Sequence, residues 1–161
     1  MTKALRILGI DPGLRCTGFG LIEVVGRHQV TYLASGVIRP PVSLSEADRL
    51  KSLYASLTEL LANYQPEIAV VERVFVNVNP KSTLSLGQAR GVAIAALAAT
   101  NIEVKELTPL KIKQSIVGTG RADKAQVAHM VCRLLSLPRP PSSDAADALA
   151  CALAFWHAQT P

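Results

Sequence analysis

Four carboxylates occupy the places in this chain where metal chemistry on oxygen ligands is most readily built: Asp11, Glu72, Asp144 and Asp147. Asp11 and Glu72 each close an apolar run, after ILGI (7–10) and IAVV (68–71). An ionised carboxylate at the end of a buried strand is costly unless a cation or hydrogen-bond donors meet it. The ends of strands in open α/β sheets are also where ligands usually bind. Asp144 and Asp147 are i, i+3 neighbours, so one helix face would carry both with Cβ atoms ~5–6 Å apart. At that distance they repel unless positive charge lies between them, although a first helical turn favours the ionised forms. Ligation by oxygen alone points to Mg²⁺ or Mn²⁺ rather than zinc. Two such ions ~3.5–4 Å apart suit in-line displacement at a phosphodiester. Each acid also has a plainer role open to it: Asp11 as a turn former before Pro12-Gly13, Asp144 as a charge satisfying a helix N-terminus, Glu72 as a salt-bridge partner.

Other chemistries find no such footing. Cys16, Cys132 and Cys151 are odd in number and widely spaced, so neither a zinc pair nor a disulfide framework can be built, and all three read as small buried hydrophobes. His28, His129 and His157 show no metal-ligand spacing. The 161 residues fit one domain, and an apolar share of 49% against 18% charged residues supports a filled core. The longest apolar stretch, 92–99, falls far short of the ~18 residues that cross a bilayer. The N-terminal residues MTKALRILGIDPG lack a signal-peptide pattern, so a cytoplasmic protein without membrane contact is expected.

The charge is uneven. Residues 1–72 sum to zero, residues 73–139 carry ten basic side chains against three acidic ones, and residues 140–161 hold only Asp144 and Asp147. A net +5 concentrated in this way fits a polyanionic partner, nucleic acid first, although a solvated surface gives the same split.

The elements that would position the carboxylates follow from pattern. Strands are expected over 5–11, 16–25 and 28–38, the last two joined at Gly26-Arg27, making an antiparallel meander. A helix over 45–64 carries Leu50, Leu53, Tyr54, Leu57, Leu60, Leu61 and Tyr64 on one stripe, with Ser45 as its cap. Strand 68–71 is followed by a helix over 80–99 opened by Asn79-Pro80, and strand 102–106 by a helix from Pro109 to about 116. A helix over 123–136, a stiff PRPP segment (138–141) and a last helix over 143–158 complete the order βββαβαβααα, an α/β fold with a mixed sheet.

The blocks GIDPGLRCTGFG (9–20), VVERVF (70–75), LGQARGVA (86–93), KQSIVGTGRADKAQV (113–127) and SDAADALA (143–150) resemble, in order and spacing, the bacterial RuvC Holliday-junction resolvases. GIDPG alone also occurs in actin-like ATPases and YqgF-type proteins, and length excludes the former. The resemblance implies a single ribonuclease-H-like domain over 1–161: a five-stranded mixed sheet flanked by helices, with Asp11 and Glu72 on adjacent central strands. It implies a homodimeric, Mg²⁺-dependent endonuclease of DNA recombination and repair that nicks two opposing strands of a four-way junction and leaves 5′-phosphate and 3′-hydroxyl ends. RuvA and RuvB are the implied partners. A YqgF-like RNA nuclease and a catalytically silent junction-binding module remain as alternatives.

The positions matching the family's catalytic carboxylates are Asp11, Glu72, Asp144 and Asp147; some members carry His at the place of Asp144. Lys113 and Lys124 match basic positions near the scissile phosphate. Lys124 also follows the cap Asp123, where the helix dipole disfavours a cation by ~0.3–1 kcal/mol, which hints at a positional demand. Lys111, a near neighbour of Lys113, and Arg73 are expected to contact backbone phosphates. Phe75 either packs under its loop or, as the resemblance suggests, stacks on bases opened at the junction centre. The small residues of helix 80–99 either pack on the protein's own sheet or, by resemblance, reach a dimer interface.

Overall fold

A computed structural model describes residues 2–73 and 79–159. Its strands are β1 (Ala4–Asp11), β2 (Thr17–Val25), β3 (Gln29–Ile38), β4 (Ile68–Glu72) and β5 (Glu103–Leu107). The helices are α1 (Glu46–Tyr64), α2 (Pro80–Ala99), α3 (Pro109–Val117), α4 (Lys124–Leu134) and α5 (Ser143–Ala158). The order read from the sequence is reproduced, with boundaries moving by a residue or two.

The five strands form one sheet in the order β3-β2-β1-β4-β5. β1 pairs antiparallel with β2 and parallel with β4, so the expected mixed sheet is present and β1 lies at its centre. β1 and β4 read as nearly unbroken apolar runs because helices cover both faces of the sheet. On one face Leu8, Ile10, Ala69 and Val71 meet Leu53, Leu57 and Leu61 of α1 and Ala89, Ala93 and Leu97 of α2. On the other, Ile7, Ile22 and Val70 meet Ile112 and Ile116 of α3, Val127 and Val131 of α4, and most of α5.

The helix starts follow from local chemistry. Ser45, Asn79, Thr108, Asp123 and Ser142 each accept a backbone N–H from the first turn that follows, and Asp123 forms a reciprocal capping box with Gln126. One expectation needs correction: Tyr54 is 40% exposed and lies off the buried stripe of α1, whose fully buried positions run at four-residue spacing through Leu53, Leu57 and Leu61. The α4 helix also stops at Leu134, short of 136, because Ser136 takes a left-handed conformation (φ 52) that ends it.

α5 is the element on which the rest is assembled. Ala145, Ala146 and every residue from Ala148 to Trp156 are buried. Its alanine-rich face lies against Gly9 of β1 and Gly18 and Gly20 of β2, closer than a side chain would allow. A Cβ at Gly9 would stand 2.8 Å from the Ala148 carbonyl carbon, and one at Gly18 would stand 2.5 Å from that of Asp144, each nearer still to the oxygen. Gly9 and Gly20 are cross-strand partners, as are Asp11 and Gly18. The missing side chains form a trough that receives the helix backbone.

Candidate metal and phosphate site

The pairing of Ile10 with Val71 carries β1 and β4 to the same end of the sheet, where Asp11 and Glu72 are their last residues. The glycine trough sets the first turn of α5 over that end, so Asp144 and Asp147 arrive from above. Carboxylate oxygens of Asp11, Asp144 and Asp147 lie within 4.8 Å of one another, the one such three-residue group among the described residues. Glu72 is outside that triad and lines the same cleft. The loop after Asp11 is pinned by Thr17, a fully buried hydroxyl that donates to the Gly13 carbonyl (2.7 Å) and accepts from the Gly13 N–H (3.1 Å).

The electrostatics are those of a site short of positive charge. Burial pushes Asp11 up to about 7, and the charges of Asp147, Glu72 and Asp144 add to the rise against a smaller opposing effect of Lys124. Burial also raises Glu72 and Asp147. Lys124 donates to Asp147 Oδ2 at 3.3 Å, and the negative charge of Asp147, followed by that hydrogen bond, raises its ammonium above the ordinary lysine value. The Lys124 side chain is nonetheless 79% exposed, so its charge is solvated and only partly offsets the carboxylates. A divalent cation reverses this balance, and three convergent oxygens of hard carboxylates are the donor set that Mg²⁺ and Mn²⁺ accept. The residues therefore fit such an ion.

The cleft, about 220 Å³, is lined by Asp11, Glu72, Asp147, Lys113 and Lys124, together with Pro109, Ile112, Val127 and Ala150. Lys113 lies close enough to Glu72 to oppose the rise in its pKa. Of the remaining basic positions, Lys111 is exposed on α3 and does not line this cleft. Arg73 lies at its margin: its backbone N–H donates to Leu107 O at 2.7 Å, and Nε and Nη2 each reach Glu106 Oε2 at 3.3 Å. Glu106 also accepts from Arg90 Nη2 at 2.6 Å, and these two arginines, Arg90 first, hold its carboxyl below the usual range. Phe75 lies outside the described residues.

Sequence reasoning missed three parts of this site. The first is the glycine trough, signalled by Gly9 and by the alternation of Gly18 and Gly20 in one strand. The second is the Thr17 clasp on Gly13. The third is Cys16, read as a buried hydrophobe: it is partly exposed, and burial first, then hydrogen bonding to Asp144, raises its thiol above the ordinary value. Cys132 is also only partly buried, while Cys151 fits the expectation.

Comparison with known proteins agrees with this geometry. The family model described as "Crossover junction endodeoxyribonuclease RuvC" matches residues 7–155. The RuvC of Dechloromonas aromatica is 58% identical over 152 residues, covering 94% of this chain and 84% of that protein. The RuvC of Thermus thermophilus, solved in complex with a Holliday junction substrate, superposes with a TM-score of 0.90 at 30% identity, covering 96% of this chain and 95% of that one. The yeast mitochondrial Holliday junction resolvase shares the fold alone, with a TM-score of 0.69 at 16% identity over 96% of this chain and 81% of that one.

Proposed function

The chain belongs to the RuvC family of crossover junction endodeoxyribonucleases, and from that premise we infer how its own residues resolve a four-way DNA junction. It is a metal-dependent, α/β nuclease of the ribonuclease-H-like type, acting in DNA recombination and repair. The observation that carries the residue-level reading is the Asp11–Asp144–Asp147 triad, two of whose members share one cleft with Glu72, Lys113 and Lys124.

Asp11, Glu72, Asp144 and Asp147 are proposed to hold two Mg²⁺ ions, with Mn²⁺ able to substitute. When bound, such ions lower the pKa of an attacking water and stabilise the leaving 3′-oxygen. Lys113 and Lys124 draw the scissile phosphate against the carboxylate wall and offset charge that builds on it. Ile112 and Val127 keep the floor of the cleft apolar, which strengthens those interactions. Water adds to phosphorus as the bond to the 3′-oxygen breaks, so a 5′-phosphate and a 3′-hydroxyl remain. Two equivalent cuts call for two equivalent sites, and a two-fold homodimer with α2 at its interface supplies them. Arg73 and Lys111 are proposed as peripheral phosphate contacts, Phe75 as the residue that stacks on opened bases, and RuvA and RuvB as partners. The domain is proposed to span 1–161.

Replacing Lys124 removes the cation paired with Asp147. Lys124→Met is expected to lower single-turnover junction cleavage by roughly 10²-fold. Cleavage at the wild-type rate would take Lys124 out of the reaction.

Substrate competition tests the functional reading. Unlabelled four-way junction should suppress cleavage of a labelled junction at far lower concentration than linear duplex or structured RNA. Equal competition by RNA would favour the YqgF-like alternative.

A further inference from the structure

Asp11 stands between two clefts. The one described above carries Lys113 and Lys124. The other, about 620 Å³, opens on the opposite side of Asp11 and Asp144, between the loop after β1 and the first turns of α1 and α2. Its walls bear Leu14, Arg15, Arg49, Lys81, Ser82 and Ser85, with Asp11 and Asp144 at the inner rim. We propose that this second groove holds the sugar–phosphate backbone of the cleaved strand on the side of the scissile phosphate away from Lys113 and Lys124. The inference rests on the nuclease reading of the carboxylates and adds to it a path for the strand.

Continuity is the first argument. A polymer whose phosphate sits on Asp11 must leave the site in two directions, and Lys113 and Lys124 account for one. The second groove shares Asp11 and Asp144 with the reacting centre, and a further hollow of about 370 Å³ shares Leu14, Arg49, Lys81 and Ser85 with it, carrying the path outward past the exposed Leu84.

Charge is the second argument. Among the described residues, no ion pair joins Arg15, Arg49 or Lys81 to a carboxylate. Three uncommitted cations and two hydroxyls around one concavity match a run of phosphates.

Arg49 supplies the third. Its Nη2 donates to the Leu14 carbonyl at 3.2 Å, which anchors the guanidinium to the groove wall, while its Nε is buried without a partner. The guanidinium so anchored presents a positioned charge that a phosphate oxygen in the groove can meet.

Arg15 and Lys81 are exposed, so an Arg15→Gln/Lys81→Gln double variant of the full chain removes charge without disturbing the core, and its melting temperature should equal that of wild type. The probe is a four-way DNA junction, bound in Ca²⁺ to prevent cleavage. Affinity is expected to fall on the order of tenfold, and the slope of log affinity against log salt to shrink by roughly 1.8, the value for two lost phosphate contacts.

Single neutral methylphosphonates placed on either side of the scissile phosphate then locate the groove. On one side they should weaken wild type but not the double variant. On the opposite side they should lose their effect in Lys113→Gln. An unchanged salt slope, or effects that add in the double variant at every position, would overturn the proposal. So would protection on the same side as Lys113. Wild-type protein that binds no junction would bring down the nuclease reading itself, and this inference with it.

Discussion

Asp11→Asn is expected to abolish junction cleavage, by roughly 10³-fold or more, and at the same time to make the metal-free protein more stable at pH 8. The loss of cleavage follows from removing the most buried oxygen ligand of the triad. The gain in stability follows from linkage. Asp11 ionises near its ordinary 3.8 when unfolded and at about 7 when folded. Between those values the native state keeps a proton that the unfolded chain has released, so stability falls as pH rises through that window. The full loss, on the order of 4 kcal/mol, is reached only above pH 7. Glu72 and Asp147, also raised by burial, push in the same direction.

Thermal unfolding in EDTA checks this directly. Wild type and Asp11→Asn should lie closest at pH 3.5, with the variant pulling ahead as pH rises to 7 and holding that lead at pH 8. Mg²⁺ should raise the wild-type melting temperature at pH 8 and do little for the variant. Parallel curves at both pH values would show that Asp11 carries no such strain.

Gly18→Ala is expected to do the reverse: both stability and cleavage fall although no carboxylate is touched. The new methyl carbon would lie 2.5 Å from the Asp144 carbonyl carbon, against an ordinary contact distance of about 3.5 Å or more. The obstacle is helix backbone rather than a side chain that can swing away. α5 must shift by on the order of 1 Å, at a cost of about 3 kcal/mol. A displacement of that size moves Asp144 and Asp147 off Asp11 and is expected to reduce cleavage about 10²-fold.

Gly91→Ala in α2 is the natural contrast. A Cβ there meets nothing within 4 Å in the isolated protomer, and alanine should stabilise the helix by ~1 kcal/mol. If α2 forms the dimer interface, the same change should weaken self-association in sedimentation experiments. A Gly18→Ala protein as stable and active as wild type would refute the trough as the device that positions the site.

The elements were legible because their signals are local. Apolar runs ending at Asp11 and Glu72, the helical stripe through Leu53, Leu57 and Leu61, and the caps Ser45, Asn79 and Asp123 each lie within a few residues of the structure they determine. The four carboxylates were legible because strand ends and a first helical turn are recognisable places for them. What escaped was the contact between distant segments. Nothing near Gly18 in sequence says that its hydrogen faces the backbone of residue 144, and nothing near Thr17 says that its hydroxyl is clasped by Gly13. Tyr54 shows the opposite failure: a helical period marks which residues share a face, while the width of the strip that meets the sheet depends on neighbours. The pairing of Arg73, read only as a phosphate contact, with Glu106 likewise has no local signal, since the fold brings the two together from distant segments.

The most direct test is to incubate the protein with a labelled mobile four-way junction and a matched linear duplex, in Mg²⁺ or in EDTA, with Asp144→Asn alongside. Paired symmetric nicks in the junction alone are predicted, sealable by ligase and lost both in EDTA and in the variant. Tight junction binding with no cleavage in Mg²⁺ or Mn²⁺ would contradict the account and leave a binding module in its place.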